Sequence, residues 1–134
     1  MKRSILITAL IVSILLIVSV LFSASAQNLN KSSICKKWYL SHYEYYLVDY
    51  KPEANEKNDF ILFNPNMTYE SVDEGKKSTG KWSFNAKENY ILMYDEKGEH
   101  LKLLVKDLDE DKFVFEIDIE EMKGVKIHYS SKKK

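Results

Sequence analysis

The chain has 134 residues, with 20 lysines plus arginines against 20 aspartates plus glutamates, so its formal net charge at pH 7 is zero. A nucleic-acid-binding surface needs a clustered basic excess, which this composition does not provide. The single cysteine, Cys35, excludes an internal disulfide and the usual multi-cysteine zinc site. Two interpretations of Cys35 stay open: it pairs with another chain, or it is a small, partly buried apolar residue.

The N-terminus predicts export. A positively charged start, an apolar run over residues 5–22 and a Ser-Ala-Ser-Ala stretch ending at Ala26 form the pattern of a signal peptide, residues 1–26. Cleavage after Ala26 would leave residues 27–134 as one domain in the periplasm or outside the cell. The alternative is an uncleaved membrane anchor, since the apolar run just reaches the length of a spanning helix.

From residue 36 onward, apolar residues alternate with polar ones in runs rich in Tyr, Phe, Ile and Val, a pattern typical of β-strands. Turn-forming residues separate eight predicted strands: Lys36–Tyr50, Asp59–Phe63, Met67–Val72, Ser78–Phe84, Tyr90–Tyr94, His100–Leu108, Lys112–Asp118 and Val125–Tyr129. Parallel pairing needs long crossovers, and the links here are short. We therefore predict an all-β fold, an eight-stranded antiparallel up-and-down barrel preceded by the signal helix. Two packed sheets are the alternative.

Alternation also assigns the faces of the strands. One face of the first strand carries Trp38, His42, Glu44 and Tyr46. Glycine weakens a strand interior, but it permits the strong local bends that close a small barrel. We therefore expect Gly80 to make room beside a bulky inward neighbour, with Trp82 filling the space.

Three segments carry a family resemblance: "CKKWYL" at 35–40, "FILFNPNMTYES" at 60–71 and "STGKWSF" at 78–84. Their order and spacing resemble those of small exported bacterial lipocalin-like proteins, which have a calycin-like barrel. The resemblance extends from residue 36 to residue 129, and it implies an eight-stranded barrel with an apolar cavity. It does not identify a ligand, because fold does not determine function.

Catalytic motifs are absent from the sequence. It contains no Gly-rich phosphate loop, no Ser-x-x-Lys, no His-Glu-x-x-His and no convincing carboxylate pair. Alternation places His100 and His128 on the outer face, where histidines on separate strands are usually solvated. We therefore expect no enzyme activity, no metal site and no cofactor.

The main functional hypothesis is binding of a small hydrophobic or amphipathic molecule inside the barrel. Apolar burial would provide affinity, and His42, Glu44 or Tyr46 would orient the ligand. His42 and Glu44, two residues apart on a strand, could form a polar pair inside the barrel mouth. The alternative is that this long strand twists or bulges, which would put the pair in solvent or at the rim. The predicted ligand-binding residues are Trp38, His42, Glu44, Tyr46, Tyr69, Trp82, Phe115 and Ile127.

The alternative hypothesis is a cell-envelope interaction module with a fully packed barrel. Tyr39, Tyr43 and Tyr45 alternate on the face opposite Trp38, and an exposed tyrosine stripe could bind a partner protein. Cys35, near the start of the stripe, could reinforce that contact. The volume of the interior separates the two hypotheses, since a pocket of about 300 Å³ or more favours ligand binding.

Overall fold

The computed structural model describes residues 30–134. The predicted signal peptide, residues 1–26, and the alternative anchor over residues 5–22 lie outside this range. Within it, no helix is long and apolar enough to cross a membrane. The first described residue, Asn30, caps a short helix, and its side chain accepts a hydrogen bond from the Ser32 amide at 2.8 Å.

The described residues form nine strands, one short α-helix and one 3₁₀ turn. Helix α1 spans Lys31–Ile34, and the 3₁₀ turn spans Glu120–Met122. The strands are β1 (Lys37–Tyr45), β2 (Val48–Tyr50), β3 (Phe60–Phe63), β4 (Thr68–Asp73), β5 (Lys76–Asn85), β6 (Tyr90–Asp95), β7 (His100–Leu108), β8 (Lys112–Ile117) and β9 (Val125–Ser130). Every predicted strand after the first is present.

Eight of the nine strands close into a barrel. They pair antiparallel in the order β1-β3-β4-β5-β6-β7-β8-β9, and β1 also pairs with β9. Strand β2 pairs with the far end of β1 as the second half of a hairpin. Closure matters because it removes the free edges of the sheet. The predicted all-β, eight-stranded antiparallel up-and-down barrel is confirmed.

The prediction of one long first strand over Lys36–Tyr50 is wrong, because the chain reverses direction within it. Tyr46 and Leu47 have φ angles of 48° and 63°, and Tyr45 pairs with Val48 across the turn. Two successive positive φ angles are typical of the tight turn whose twist matches that of the flanking strands. Such turns usually contain asparagine or glycine, so a Tyr-Leu pair is not recognisable as a turn in the sequence.

A β-bulge at Ser41 reverses the faces of β1. The pairing with β9 shifts between Leu40, which is opposite Tyr129, and His42, which is opposite His128. One extra residue in a strand moves every later side chain to the other side of the sheet. The residues of β1 after the bulge therefore face in the direction opposite to the one predicted.

An aromatic cluster fills one end of the barrel, here called the floor, and consists of Trp38, Phe63, Trp82 and Phe113. All four are nearly fully buried, with ring centroids 5.5 Å apart for Trp38 and Phe113. Helix α1 packs against this cluster. Its Ile34 is completely buried, and the Ile34 carbonyl accepts a hydrogen bond from Trp38 Nε1 at 3.0 Å. Burial of each large apolar side chain contributes about 1.5–3 kcal/mol, so the floor is a major source of stability.

Gly80 allows two neighbouring strands to approach β5 closely. A Cβ atom at this position would overlap the Tyr94 carbonyl oxygen and would lie 2.8 Å from Tyr69 Cε1. Gly80 thus makes room for a bulky inward side chain, as predicted. The neighbour is Tyr69 of β4, however, whereas Trp82 lies farther along β5 in the floor.

Candidate functional site

The interior of the barrel is not completely filled. A cavity of about 470 Å³ lies between the floor and the opposite end, here called the mouth, where β4, β6 and β8 end and β5, β7 and β9 begin. Pockets that bind small molecules usually measure about 300–1,000 Å³. An eight-stranded barrel is just wide enough for one small ligand, and this cavity has the volume to hold one.

The walls of the cavity are mainly apolar. Five buried side chains from five different strands contribute to them: Ile61, Met93, Leu103, Phe115 and Ile127. Each faces inward in the alternation of its own strand. Contact with such walls stabilises a ligand by roughly 25 cal/mol for each Å² of apolar surface removed from water.

Three of the eight residues predicted to bind a ligand line this cavity, namely Tyr69, Phe115 and Ile127. Trp38 and Trp82 face inward as predicted, but they belong to the floor, where they are 0% and 2% exposed. Alternation therefore identified the inner face of these strands. It could not distinguish the filled end of the barrel from the open end, because both ends are lined by large apolar residues.

The polar pair of His42 and Glu44 is not formed inside the mouth. The first strand is bulged, which was the alternative, and the bulge at Ser41 turns both side chains to the outer wall. There the His42 ring stacks on His128 with centroids 4.1 Å apart. Glu44 accepts a hydrogen bond from Lys126 Nζ at 2.9 Å, and its other oxygen lies 3.0 Å from His128 Nε2. The hydrogen bond from Lys126 is the main cause that lowers the pKa of Glu44. The cluster stabilises the outer wall and does not contact the cavity.

The structure also differs from the remaining predictions for the first strand. Tyr46 lies in the hairpin turn, 82% exposed, and does not line the cavity. The tyrosine stripe is not continuous, because the bulge separates its members. Tyr39 remains on the outer wall, with Lys37 Nζ 5.4 Å from its ring, whereas Tyr43 lines the cavity. Tyr45 lies near the hairpin turn, in edge-to-face contact with Tyr46 at 4.4 Å.

Three carboxylates line the cavity at the mouth: Asp73, Asp95 and Glu99. We call them the mouth carboxylates. They come from the β4–β5 and β6–β7 hairpins, and His100 lies beside them at the rim. Asp95 also holds its hairpin turn, since its Oδ1 accepts hydrogen bonds from the amides of Lys97 and Glu99, both at 2.9 Å.

The mouth carboxylates were not among the predicted site residues, although the alternation of the strands extends to them. Asp73 follows the inward-facing Ser71 by two residues, and Asp95 follows the inward-facing Met93 by two. Side chains two residues apart on a strand share a face. The predicted strands end at Val72 and Tyr94, so both acids fell in the turns that separate the strands.

Two acids, Glu56 and Asp59, interact with tyrosines of the cavity wall, Tyr43 and Tyr129. The Tyr43 hydroxyl donates a hydrogen bond to Glu56 Oε1 at 2.7 Å. Burial is the main cause that raises the pKa of Tyr43, and this hydrogen bond is the second cause. Burial is also the main cause that raises the pKa of Tyr129, and the negative charge of Asp59 is the second cause. Both phenols are therefore neutral hydrogen-bonding groups at physiological pH.

Asp59 is a buried acid next to these tyrosines, with only 2% of its surface exposed. It precedes the inward-facing Ile61 by two residues, so it lies on the inner face. Its Oδ2 accepts a hydrogen bond from the Glu74 amide at 3.0 Å, but its Oδ1 has no hydrogen-bond partner among residues 30–134. Burial raises the pKa of Asp59. A buried carboxylate with an incomplete set of partners favours binding of a proton or a cation.

Cys35 is a free, partly buried thiol at the end of α1. Burial raises its pKa, and this disfavours the reactive thiolate form. In the part of the chain that the structure describes, no group of three or more His, Cys, Asp or Glu side chains is placed to hold a metal ion.

Comparison with known proteins agrees with this architecture. The sequence pattern of the lipocalin-like domain family matches residues 34–115. A lipocalin-like protein from Bacteroides uniformis has a similar structure, with 16% identity, a TM-score of 0.53, and coverage of 73% of this chain and 97% of its own. A DUF4847 family protein from Bacteroides vulgatus has 10% identity and a TM-score of 0.55, covering 75% of this chain and 95% of its own. No curated protein matches the chain significantly.

At these identities, the two solved structures establish similarity of fold alone. The lipocalin-like fold is generally used to bind small molecules rather than for catalysis. The family match covers more than half of the chain and includes the floor, β3 to β7 and part of β8. This chain therefore belongs to the lipocalin-like domain family.

Proposed function

We propose that this protein is exported and binds a small hydrophobic or amphipathic molecule inside its barrel. One observation carries the proposal: a cavity of about 470 Å³ with apolar walls and a polar mouth. Such a combination is typical of small-molecule sites, in which apolar contacts provide affinity and a few polar groups fix the orientation. Encapsulation is the mechanism, and no bond of the ligand is changed.

The residues that orient the ligand differ from those expected from the sequence. His42, Glu44 and Tyr46 lie outside the cavity, so this role passes to Tyr43 and Tyr129. Both residues line the cavity, and their hydroxyl groups stay neutral at physiological pH, which suits hydrogen bonding to a polar ligand group.

Export and the absence of catalysis are also part of the proposal. Export is supported by the signal-like sequence of residues 1–26 and would place the barrel in the periplasm or outside the cell. The mass of the protein isolated from its own cells tests whether residues 1–26 are removed. A chain that begins at Gln27 supports cleavage, whereas a chain that retains residues 5–22 supports the membrane-anchored alternative.

Ligand binding can be tested with a variant that fills the cavity. Ser71 lines the cavity and is small, so Ser71→Trp places a large ring in the ligand space without removing a core side chain. Ser83→Trp is the matched control, because Ser83 is exposed on the outer face of β5. We expect a neutral fluorescent dye such as N-phenylnaphthylamine to bind the unaltered protein and Ser83→Trp, and not Ser71→Trp. Equal dye binding by all three would contradict the proposal.

A second candidate function is interaction with a cell-envelope protein. A specific observation favours it: Tyr46 and Leu47, at the tip of the β1–β2 hairpin, are 82% and 89% exposed. Exposed apolar groups of this kind often mark interaction sites. The variant Tyr46→Asn with Leu47→Gly keeps the tight turn, which prefers these residues, and removes the apolar tip. Loss of a co-purifying envelope protein, with dye binding retained, would support this function.

A further inference from the structure

We propose that the cavity selects a ligand with a cationic head group, a protonated amine or a quaternary ammonium, attached to an apolar body. This inference rests on the proposed function and defines the class of ligand. It depends on how charge is distributed around the cavity.

Apart from His100, every described residue of the cavity lining with an acidic or basic side-chain group that is charged near neutral pH is a carboxylate. The mouth carboxylates Asp73, Asp95 and Glu99 line it, whereas no described residue of the lining is lysine or arginine. The chain nevertheless contains 20 lysines plus arginines. A cleft lined by charges of one sign, with low-dielectric walls, attracts ligands of the opposite sign. The cavity therefore favours an approaching cation and disfavours an anion.

The mouth carboxylates also lack the lysine partners that acids have elsewhere in the barrel. On the outer wall, Lys126 Nζ lies 2.9 Å from Glu44, and Lys102 Nζ lies 3.2 Å from Asp118. Within residues 30–134, no lysine forms an ion pair with any mouth carboxylate. No lysine ion pair therefore occupies these carboxylates in the described part of the chain, and a ligand cation can interact with them directly.

Negative charge continues from the mouth toward the inner wall. Asp59 is buried and does not itself line the cavity, and its Oδ1 has no hydrogen-bond partner among the described residues. Glu56 accepts a hydrogen bond from Tyr43 of the cavity wall. Burial is the first cause of the raised pKa of Tyr129, and the charges of Asp59, Asp73 and Glu56 add to it. These acids therefore act on the same region of the cavity.

The apolar part of the cavity suits the body of such a ligand. Phe115 and Tyr69 present aromatic rings to the interior, which offer a large apolar surface to the body of the ligand. A fatty acid of the same length would instead bring its carboxylate close to the mouth carboxylates, and repulsion between like charges would weaken binding. The charge of the head group therefore decides between ligands with identical tails.

Three ligands with the same tail test the inference: decylamine, decanol and decanoate. Each is titrated into the full protein as isolated from its cells, with displacement of the neutral dye as the readout. We expect decylamine to bind about tenfold more tightly than decanol, because one ammonium group interacts with several mouth carboxylates at once. Decanoate should bind more weakly than decanol. Added salt should reduce the advantage of decylamine and leave decanol unchanged.

A pair of variants assigns the preference to the mouth. Asp73→Asn with Glu99→Gln removes two mouth charges, and Asp95 is retained because it holds its turn. Glu70→Gln with Glu88→Gln removes two exposed charges away from the cavity and is the matched control. We expect the first variant to lose most of the preference for decylamine over decanol. The control should keep the preference.

Two results would overturn the inference in different ways. Equal affinity for the three ligands, or tighter binding of decanoate, would exclude selection for a cation but would leave ligand binding by the barrel intact. No binding of any of the three ligands or of the dye would contradict the proposed function as well. The comparison of ligands on the unaltered protein needs no variant, so it remains decisive even if a variant does not fold.

Discussion

Replacing Trp82 by alanine distinguishes the floor of the barrel from its cavity. Trp82 is 2% exposed, its ring centroid lies 5.1 Å from that of Phe63, and its Nε1 donates a hydrogen bond to the Asn64 carbonyl at 3.1 Å. Truncation would leave a void in a packed cluster and remove that hydrogen bond. Substitutions of this kind lower the free energy of unfolding by about 3–5 kcal/mol.

Urea denaturation measures this loss, with Trp38 as the fluorescent reporter. Trp38 is suitable because it is fully buried and its ring centroid lies 5.5 Å from that of Phe113. Since small domains are stable by only about 5–15 kcal/mol, the variant should unfold at a much lower urea concentration. Trp82→Phe is the matched control, because it keeps an aromatic ring in the floor and should lose less stability.

Dye affinity separates the two roles that Trp82 could have. As a floor residue, Trp82 should affect stability strongly, and the folded fraction of Trp82→Ala should bind the dye almost as tightly as the unaltered protein. A loss of less than about 1 kcal/mol, together with greatly weakened dye binding, would mean that Trp82 lines the ligand space. That result would refute the division of the interior into a floor and a cavity.

Two further substitutions test other parts of the structure. Gly80→Ala should lower the free energy of unfolding by about 1–3 kcal/mol, because the new methyl group overlaps the Tyr94 carbonyl oxygen, and an unchanged melting temperature would contradict this. Asp59→Asn tests the effect of burial on a carboxyl group. Because burial raises the pKa of Asp59, the folded protein keeps this proton to a higher pH than the unfolded chain does, and stability falls as pH rises between the two pKa values. Urea denaturation over a pH series should therefore show Asp59→Asn gaining stability relative to the unaltered protein across that interval, and a difference independent of pH would count against the argument.

The barrel could be predicted from the sequence because its strands are short, alternating and separated by turn residues. The inward positions of Phe115 and Ile127 follow from the period of a β-strand. The first strand was predicted wrongly for two local reasons. A bulge at Ser41 inserts one residue, and the Tyr46–Leu47 turn uses side chains that seldom occupy positive φ angles. Neither feature has a recognisable sequence pattern.

The position of the cavity along the barrel could not be predicted from the sequence either. Trp82 and Tyr69 both face inward, yet only Tyr69 reaches the ligand space. The difference arises from packing, because four aromatic side chains gather at one end together with α1 and leave the other end open. Contacts between residues distant in the chain determine this arrangement, and alternation within single strands does not report them.

Native mass spectrometry of the protein, isolated from its own cells without denaturation, tests the central claim most directly. The unaltered protein and the Ser83→Trp control should carry an extra small-molecule mass that organic extraction removes. Ser71→Trp, with its cavity filled, should be found without it. The same ligand-free mass for all three proteins, combined with no binding of decylamine, decanol or the neutral dye, would contradict the claim that this barrel binds a small molecule.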